Sequence, residues 1–494
     1  MNQTRGQNRL EKISGLVLLL FILIVASILR FHDLDRTSFW YDEAVSWTQS
    51  NGSFLNLLSS VAADNYPPLH NIILWASMPI IGDSETALRL PSALLGVASV
   101  WLMYLIGKRL GGVTAGLLAA ALLAVSPFHI WYSTEARMYA LLAAGGLAFL
   151  LCVLKVLRKP SRSWLLALSL SGALFLYSHI YALLSFAAVG ITCVIFVLQD
   201  KMMKGRFQNS RALAACLAMA VSTAAFLPWL VILANRARSV AKDGFWIAYP
   251  DYQFLKNIAF SVSGSLVLFW LLLALAVYGL FHGLFSSPSS ASGTSRANRR
   301  ALLVCLAYTA GPPLLAYLYS ILVQPILFDR YLIAAWPGLI LLAALGTQML
   351  LPKLATIALV GFALFFSFPE LKFTLTQKIR PEWRDIAGDY KRIRASEDRL
   401  FLYKGFAAPA LAYYIRDPQG FEAIPDLDRL TLVSWQASSL GAHWLLVVHS
   451  NAEETKAALE AFSVPSSEPE AQRFGWGASG LKLVQKPTAG QGQN

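Results

Sequence analysis

The chain has 494 residues, of which 56% are hydrophobic and only 14% charged, with a mean hydropathy of +0.53. So apolar a composition excludes an ordinary soluble domain or a disordered chain, and nucleic acid as a main partner. The formal charge of +13 would suggest a polyanionic partner in a soluble protein, whereas in a membrane protein Lys and Arg gather on the cytoplasmic side of the spans.

A bilayer core about 30 Å thick needs roughly 20 apolar residues per helix. Windows of that length predict eleven transmembrane helices, at 13–30, 89–107, 112–127, 137–155, 163–179, 181–199, 212–233, 258–281, 301–323, 331–350 and 354–369. The fifth and sixth are separated only by Ser178, His179 and Ile180. Ile72 to Ile81 is apolar but too short to span, and reads as a helix lying in the interface. The first span follows Arg5, Arg9 and Lys12, yet no small-residue cleavage site follows it, so it is expected to stay as an uncleaved anchor.

With the N-terminus inside, the cytoplasmic connections carry 17 cations against two acids, Glu11 and Asp200. The opposite loops carry 9 cations and 11 acids. An odd number of spans puts the C-terminal tail outside, in the inner or plasma membrane of a cell. The expected domains are 1–369, a transmembrane unit whose outer loop 31–88 holds interfacial helices, and 370–494, a soluble extracytoplasmic unit.

That tail changes composition, with 15 cations and 15 acids. Strand-like Leu400 to Tyr403, Trp444 to Val448 and Gly480 to Val484 alternate with helix-like 381–394, 407–415 and 452–462, which predicts a small α/β layer. Thr488 to Asn494 reads as frayed. Cys152, Cys193, Cys216 and Cys305 all fall in predicted spans without metal spacing, so they are expected to pack.

The middles of the spans are nearly free of ionisable residues, which argues against a proton-coupled transporter. The polar chemistry gathers in the outer loops. Asp42 and Glu43 follow the aromatic triplet Phe39, Trp40 and Tyr41 directly after the first span. Adjacent residues cannot share one helix face, so one carboxylate can meet a substrate while its neighbour binds a cation or an Arg. Desolvation by Trp and Tyr raises a carboxylate's proton affinity, as a general base needs. An interfacial aromatic belt beside solvated acids reads the same spacing equally well. Glu135, Arg137 and Tyr139 open the fourth span, where the helix dipole favours an anion and an Arg can hold a phosphate, or where Arg137 simply pairs with Glu135. His179 and Tyr181, Tyr66 with His70, and Arg330 with Tyr331 add smaller signals on the same side.

At these residues the sequence resembles the GT-C membrane glycosyltransferases, in the bacterial branch similar to protein O-mannosyltransferases and the lipid A aminoarabinose transferase. The motifs run in order: Trp40 to Ala44; Pro67, Pro68 and Leu69; Gly82 to Glu85, then Ala87 to Ser92 with Arg89; Glu135 to Tyr139; Tyr177 to His179; and Arg330 to Leu332. The resemblance implies a polytopic all-α domain of about eleven spans with a small soluble α/β domain. It implies transfer of a sugar from a polyprenyl-phosphate donor to a glycan, lipid or protein acceptor on the extracytoplasmic face. Asp42 would be the base, supported by Glu43, while Arg137, Arg330 and Tyr331 would hold the donor phosphate. Trp40, Tyr41, Arg89, Glu135, Tyr139, His179 and Tyr181 would line the substrate site. Asn65 and Tyr66 stand where several relatives have His or Glu before the Pro pair; a divalent metal ion, if one is used, would have Glu43 and His70 as ligands. The alternative from another class is a multispan transporter or flippase of lipid-linked glycan, with the external acids as a funnel.

Overall fold

The structure, a computed structural model, describes residues 2–204, 210–243, 247–285, 293–350, 353–377, 380–393, 396, 398–417, 420–430, 443–448, 452–462 and 482–486. The frayed tail expected at Thr488 to Asn494 lies outside the described residues. In chain order the elements are α1 (Asn2–Phe31), α2 (Tyr41–Ser50), α3 (Phe54–Ala62), α4 (Leu69–Ile81), α5 (Glu85–Ala124), α6 (Pro127–Ser133), α7 (Tyr139–Arg158), α8 (Arg162–Leu176) and α9 (Ala182–Lys204). They continue with α10 (Arg211–Asp243), α11 (Tyr252–Ser263), α12 (Leu266–Phe285), α13 (Gly293–Leu322), a 3₁₀ turn (Asp329–Ala334), α14 (Ala335–Leu350), α15 (Lys353–Thr376) and α16 (Trp383–Ile393). Then follow β1 (Arg399–Tyr403), α17 (Ala408–Ile415), β2 (Glu422–Ile424), β3 (His443–Val447), α18 (Ala452–Ala461) and β4 (Lys482–Lys486).

The chain divides into two compact units. The first comprises Met1–His32, Ser53–Ile80 and Arg89–Thr376; the second comprises Asp33–Gly52, Ile81–Leu88 and Gln377–Asn494. The second therefore contains more than the C-terminal tail, because two early segments pack with it.

The first unit is a multi-pass membrane bundle. Among the described residues nine helices are long and apolar enough to cross a membrane. The eleven expected spans reconcile with these in two places. The 40-residue α5 folds back at Gly112, whose φ of 85° is open to glycine at no steric cost, and so supplies two spans; α8, with 15 residues, is short. The eighth span needs a boundary correction. Residues 258–263 end the separate helix α11, which Asp251 caps by accepting from the Phe254 N–H at 2.7 Å, and the span itself begins at Leu266. The fifth and sixth spans separate at Tyr177 to Tyr181.

The hydrophobic effect gives spans no reason to associate inside lipid, so close packing and interhelical hydrogen bonds must do it. At Gly346 of α14 an added Cβ would lie 1.9 Å from the Leu275 carbonyl of α12, so the two backbones touch. Ser169 of α8 donates to the Ala218 carbonyl of α10 at 3.1 Å, and Ser222 donates back to the Ser169 carbonyl at 2.8 Å. Arg300 of α13 grips Asp200 of α9 through two nitrogens at 2.7 and 3.0 Å. The spans α7 and α14 are the most enclosed, while Phe21, Trp270, Phe281 and Phe365 stand exposed on outer spans where lipid would cover them.

In the second unit the four strands lie in the order β2-β1-β3-β4, with β1 parallel to both β2 and β3, and β4 antiparallel to β3. Phe401, Ile424, Leu445, Val447, Ala458 and Phe462 form its core. α17, the crossover from β1 to β2, packs on α2 and α16.

Candidate functional site

Counting along eleven alternating spans puts the connections after the first, third, fifth and ninth at one end of the bundle. Each sends side chains to one buried cluster. Tyr66 precedes α4, Arg137 and Tyr139 lead into α7, His179 and Tyr181 fill the connection between α8 and α9, and Arg330 and Tyr331 lie in the 3₁₀ turn before α14. The Leu69 N–H donates to the Tyr177 carbonyl at 3.2 Å, which joins two of these connections.

His179 is fully buried at the centre. Its ring centroid lies 5.1 Å from that of Tyr331, 5.2 Å from Tyr66, 5.8 Å from Tyr181 and 6.2 Å from Tyr139. The Tyr66 and Tyr331 hydroxyls are hydrogen-bonded at 3.1 Å. The Arg137 guanidinium stands over the Tyr66 ring at 5.4 Å, and that of Arg330 over Phe328 at 5.0 Å, Tyr331 at 5.5 Å and Tyr139 at 5.9 Å. Two cations are thus held against aromatic faces, Arg137 buried and Arg330 half-buried.

The protonation state of His179 follows from one contact. The Tyr181 N–H donates to Nδ1 at 3.0 Å, so a neutral ring carries its proton on Nε2, and that buried nitrogen has no hydrogen-bond partner among the described residues. Burial, then Arg137 and Arg330, push the imidazolium pKa down to about 3. Burial likewise raises the Tyr66 phenol well above its ordinary value, with Tyr331 and Tyr139 adding to it. The cage therefore offers two positive charges, a neutral imidazole N–H and the phenol of Tyr66. It suits an anion with oxygen acceptors.

Glu135, Arg89 and His70 are the other expected residues in the first unit. Glu135 is buried and, with Asp329, helps burial raise the Tyr132 phenol, whose ring packs on Tyr139 at 4.9 Å. Arg89 is buried near the start of α5; Ser92, on its next turn, donates to the Arg137 carbonyl at 3.3 Å. His70 is buried in α4. Arg30, beside the acidic segment in sequence, belongs to the bundle: it donates to the carbonyls of Ala26, Leu123 and Ala124 and to His129 Nδ1 at 2.9–3.1 Å, closing the ends of two spans.

In the second unit, Asp42 and Glu43 occupy the first turn of α2, where the helix dipole favours acids. Glu43 is fully buried, accepts from the Trp40 N–H at 3.4 Å, and pairs with Arg380 at 2.7 Å; Asp42 is half-buried. The Arg380 guanidinium also stands 5.9 Å from the Trp40 ring, and Tyr41 packs edge-on against Phe406 at 5.8 Å. Asp83 accepts from Arg416, which holds its carboxyl below the ordinary range.

No three metal-type side chains come together among the described residues. Glu43, one of the two residues expected to hold a metal, pairs with Arg380, and the other, His70, is buried in α4. Sequence reasoning noted Tyr66 only as a smaller signal without giving it a role, left out Phe328, and missed Arg380 altogether. Tyr66 could have been found from its place before the Pro pair, where relatives carry polar groups. Arg380 carried no signal, because its partner lies 337 residues away.

A polytopic bundle with a small α/β unit is the fold of the GT-C membrane glycosyltransferases, and the chain has that fold. Residues 65–232 match the family described as dolichyl-phosphate-mannose-protein mannosyltransferase. The chain is similar to the putative mannosyltransferases YkcB, 31% identical over 159 residues, and YycA, 30% identical over 168 residues, both of Bacillus subtilis. These matches span 31% and 32% of this chain but only 22% and 24% of the relatives. Among solved structures it is similar to ArnT of Cupriavidus metallidurans in the apo state, with a TM-score of 0.62, 14% identity, and 96% and 98% of the two chains covered. The same protein bound to undecaprenyl phosphate gives 0.61 over 95% and 98%. The archaeal oligosaccharyltransferase AglB of Archaeoglobus fulgidus, in complex with an inhibitory peptide and a dolichol phosphate, gives 0.53 at 10% identity over 91% and 72%.

Proposed function

We propose that this protein is a glycosyltransferase that moves a sugar from a polyprenyl-phosphate donor to an acceptor hydroxyl. One observation carries the reading: the only described hydrogen bond of the buried His179 ring is accepted at Nδ1, so an unused Nε2 donor sits with Arg137 and Arg330 in a cage of tyrosines. Two guanidiniums and the His179 Nε2 donor gathered in one largely buried cluster suit a phosphate. The likeness to a fold solved with undecaprenyl phosphate supports the lipid carrier, and the putative mannosyltransferases it resembles make a mannosyl donor the first to test.

In this reading Asp42 removes the proton of the acceptor hydroxyl as its oxygen attacks the sugar's anomeric carbon. The bond from that carbon to the phosphate oxygen breaks with inversion, and polyprenyl phosphate leaves. A phosphodiester monoanion thereby becomes a phosphomonoester dianion. The doubly positive cage matches the developing second charge, so its donors act more strongly on the transition state than on the bound donor. The charge distribution supports an extracytoplasmic reaction with the N-terminus inside. The acceptor is a cell-envelope glycan, a lipid or a protein.

The test is transfer from radiolabelled polyprenyl-phosphate mannose, and then from other lipid-linked sugars, to envelope fractions by purified protein in lipid. Label should move with the wild type and not with a protein lacking both Arg137 and Arg330. Movement of intact lipid-linked sugar across vesicles without any bond cleavage would instead assign a transporter.

A further inference from the structure

Three arginines of the C-terminal region each meet one acid from the two early segments that share its unit. Arg380 meets Glu43, Arg384 meets Glu85, and Arg416 meets Asp83. The pairing is reinforced at Tyr414, whose hydroxyl donates to Glu85 and accepts from the Phe39 N–H at 2.6 Å. The three pairs are not equivalent. Arg416 and Asp83 are both more than a third exposed and contribute little, whereas the Arg380 and Glu43 side chains are only 10% and 0% exposed. A buried ion pair adds little net stability against an apolar alternative, but losing one partner strands a buried charge, so the pair dictates arrangement.

Glu43 has two duties that meet in one carboxylate oxygen: Oε2 accepts from Arg380 and also from the Trp40 N–H that opens α2. Asp42 lies in that same first turn. We propose that Arg380 is a positioning residue that fixes the first turn of α2 through Glu43, so that the C-terminal domain holds the Asp42 segment in its working geometry. The role in transfer rests on the reading of Asp42 as base; the clamp itself rests only on contacts within the second unit.

The experiment is hydrogen–deuterium exchange on the full-length protein in detergent, with transfer kinetics measured beside it. In Arg380→Ala, exchange over Tyr41–Ser50 should rise about tenfold while α7 and α14 are unchanged, and kcat should fall at least about tenfold with KM for the lipid donor held. Arg380→Lys, which keeps the charge, should fall between. The double exchange Glu43→Arg with Arg380→Glu should recover protection of α2 relative to either single variant. Unchanged exchange over α2 in both Arg380→Ala and Arg380→Lys, or no recovery in the double exchange, overturns the clamp. A general loss of protection in α7 and α14 as well would make the pair merely structural, and so also overturns it. If α2 loosens as expected but the wild type transfers no sugar, the clamp stands and the assignment of Asp42 fails.

Discussion

The Tyr181 backbone N–H donates to His179 Nδ1 at 3.0 Å, and this single contact decides what the imidazole can do. It leaves Nε2 as the ring's donor, and burial with the Arg137 and Arg330 charges favours the neutral imidazole. A glutamine amide can place an N–H near the position of Nε2. His179→Gln should therefore keep transfer within about tenfold of wild type, and His179→Ala should lose about 10²-fold or more in kcat, as for a lost oxyanion donor. Equal losses in single-turnover assays would remove the donor role.

Arg137 and Arg330 hold planar guanidiniums against aromatic faces, a geometry that a lysine ammonium reproduces poorly. Either residue changed to Lys should weaken polyprenyl-phosphate inhibition of transfer by about 10-fold, and the two changes together by more than either alone. Titration with the product lipid reads this directly.

Asp42→Asn keeps the shape of the side chain and removes its basicity. It should lower kcat by about 10²- to 10⁴-fold while leaving KM for the lipid donor nearly unchanged. Wild-type kcat in the asparagine variant would exclude Asp42 as the base.

His179 also predicts a pH dependence of stability. In the unfolded chain it takes a proton as the pH falls through about 6.5, whereas the native ring resists until about 3, so native stability declines on acidification below 6.5. By pH 5 this amounts to about 2 kcal/mol. Thermal unfolding at pH 7.5 and pH 5 should show a larger drop for wild type than for His179→Gln.

The α12–α14 contact predicts a purely structural phenotype. A Cβ on Gly346 would meet the Leu275 carbonyl at 1.9 Å, and backbone cannot move aside as a flexible side chain can. Gly346→Ala should destabilise the bundle by about 1–3 kcal/mol, seen as a lower melting temperature and less folded protein in membranes.

Much of the bundle was legible along the chain because a span is a local property: about 20 apolar residues in a row declare themselves without reference to any partner. The same holds for the α/β tail, where β1, β3 and α17 fall within a residue of the apolar runs that predict them. What misled the eighth span was also local, since α11 is apolar enough to read as its beginning while Asp251 and Gly264 bound it as a separate helix.

The cage was only half legible. Span alternation put Arg137, His179 and Arg330 at one end of the bundle, but composition does not distinguish a tyrosine in an interfacial belt from one such as Tyr66, hydrogen-bonded to Tyr331 from 265 residues away. By itself the sequence determined the membrane class, most of the spans and the motifs, because hydropathy and charge are sums over neighbouring residues. Only tertiary structure decided that Glu43 belongs to Arg380, that His179 is a neutral donor, and that the acidic segment shares a unit with the tail. Each of these depends on which buried polar group meets which partner, and a pairing across hundreds of residues leaves no periodicity to read.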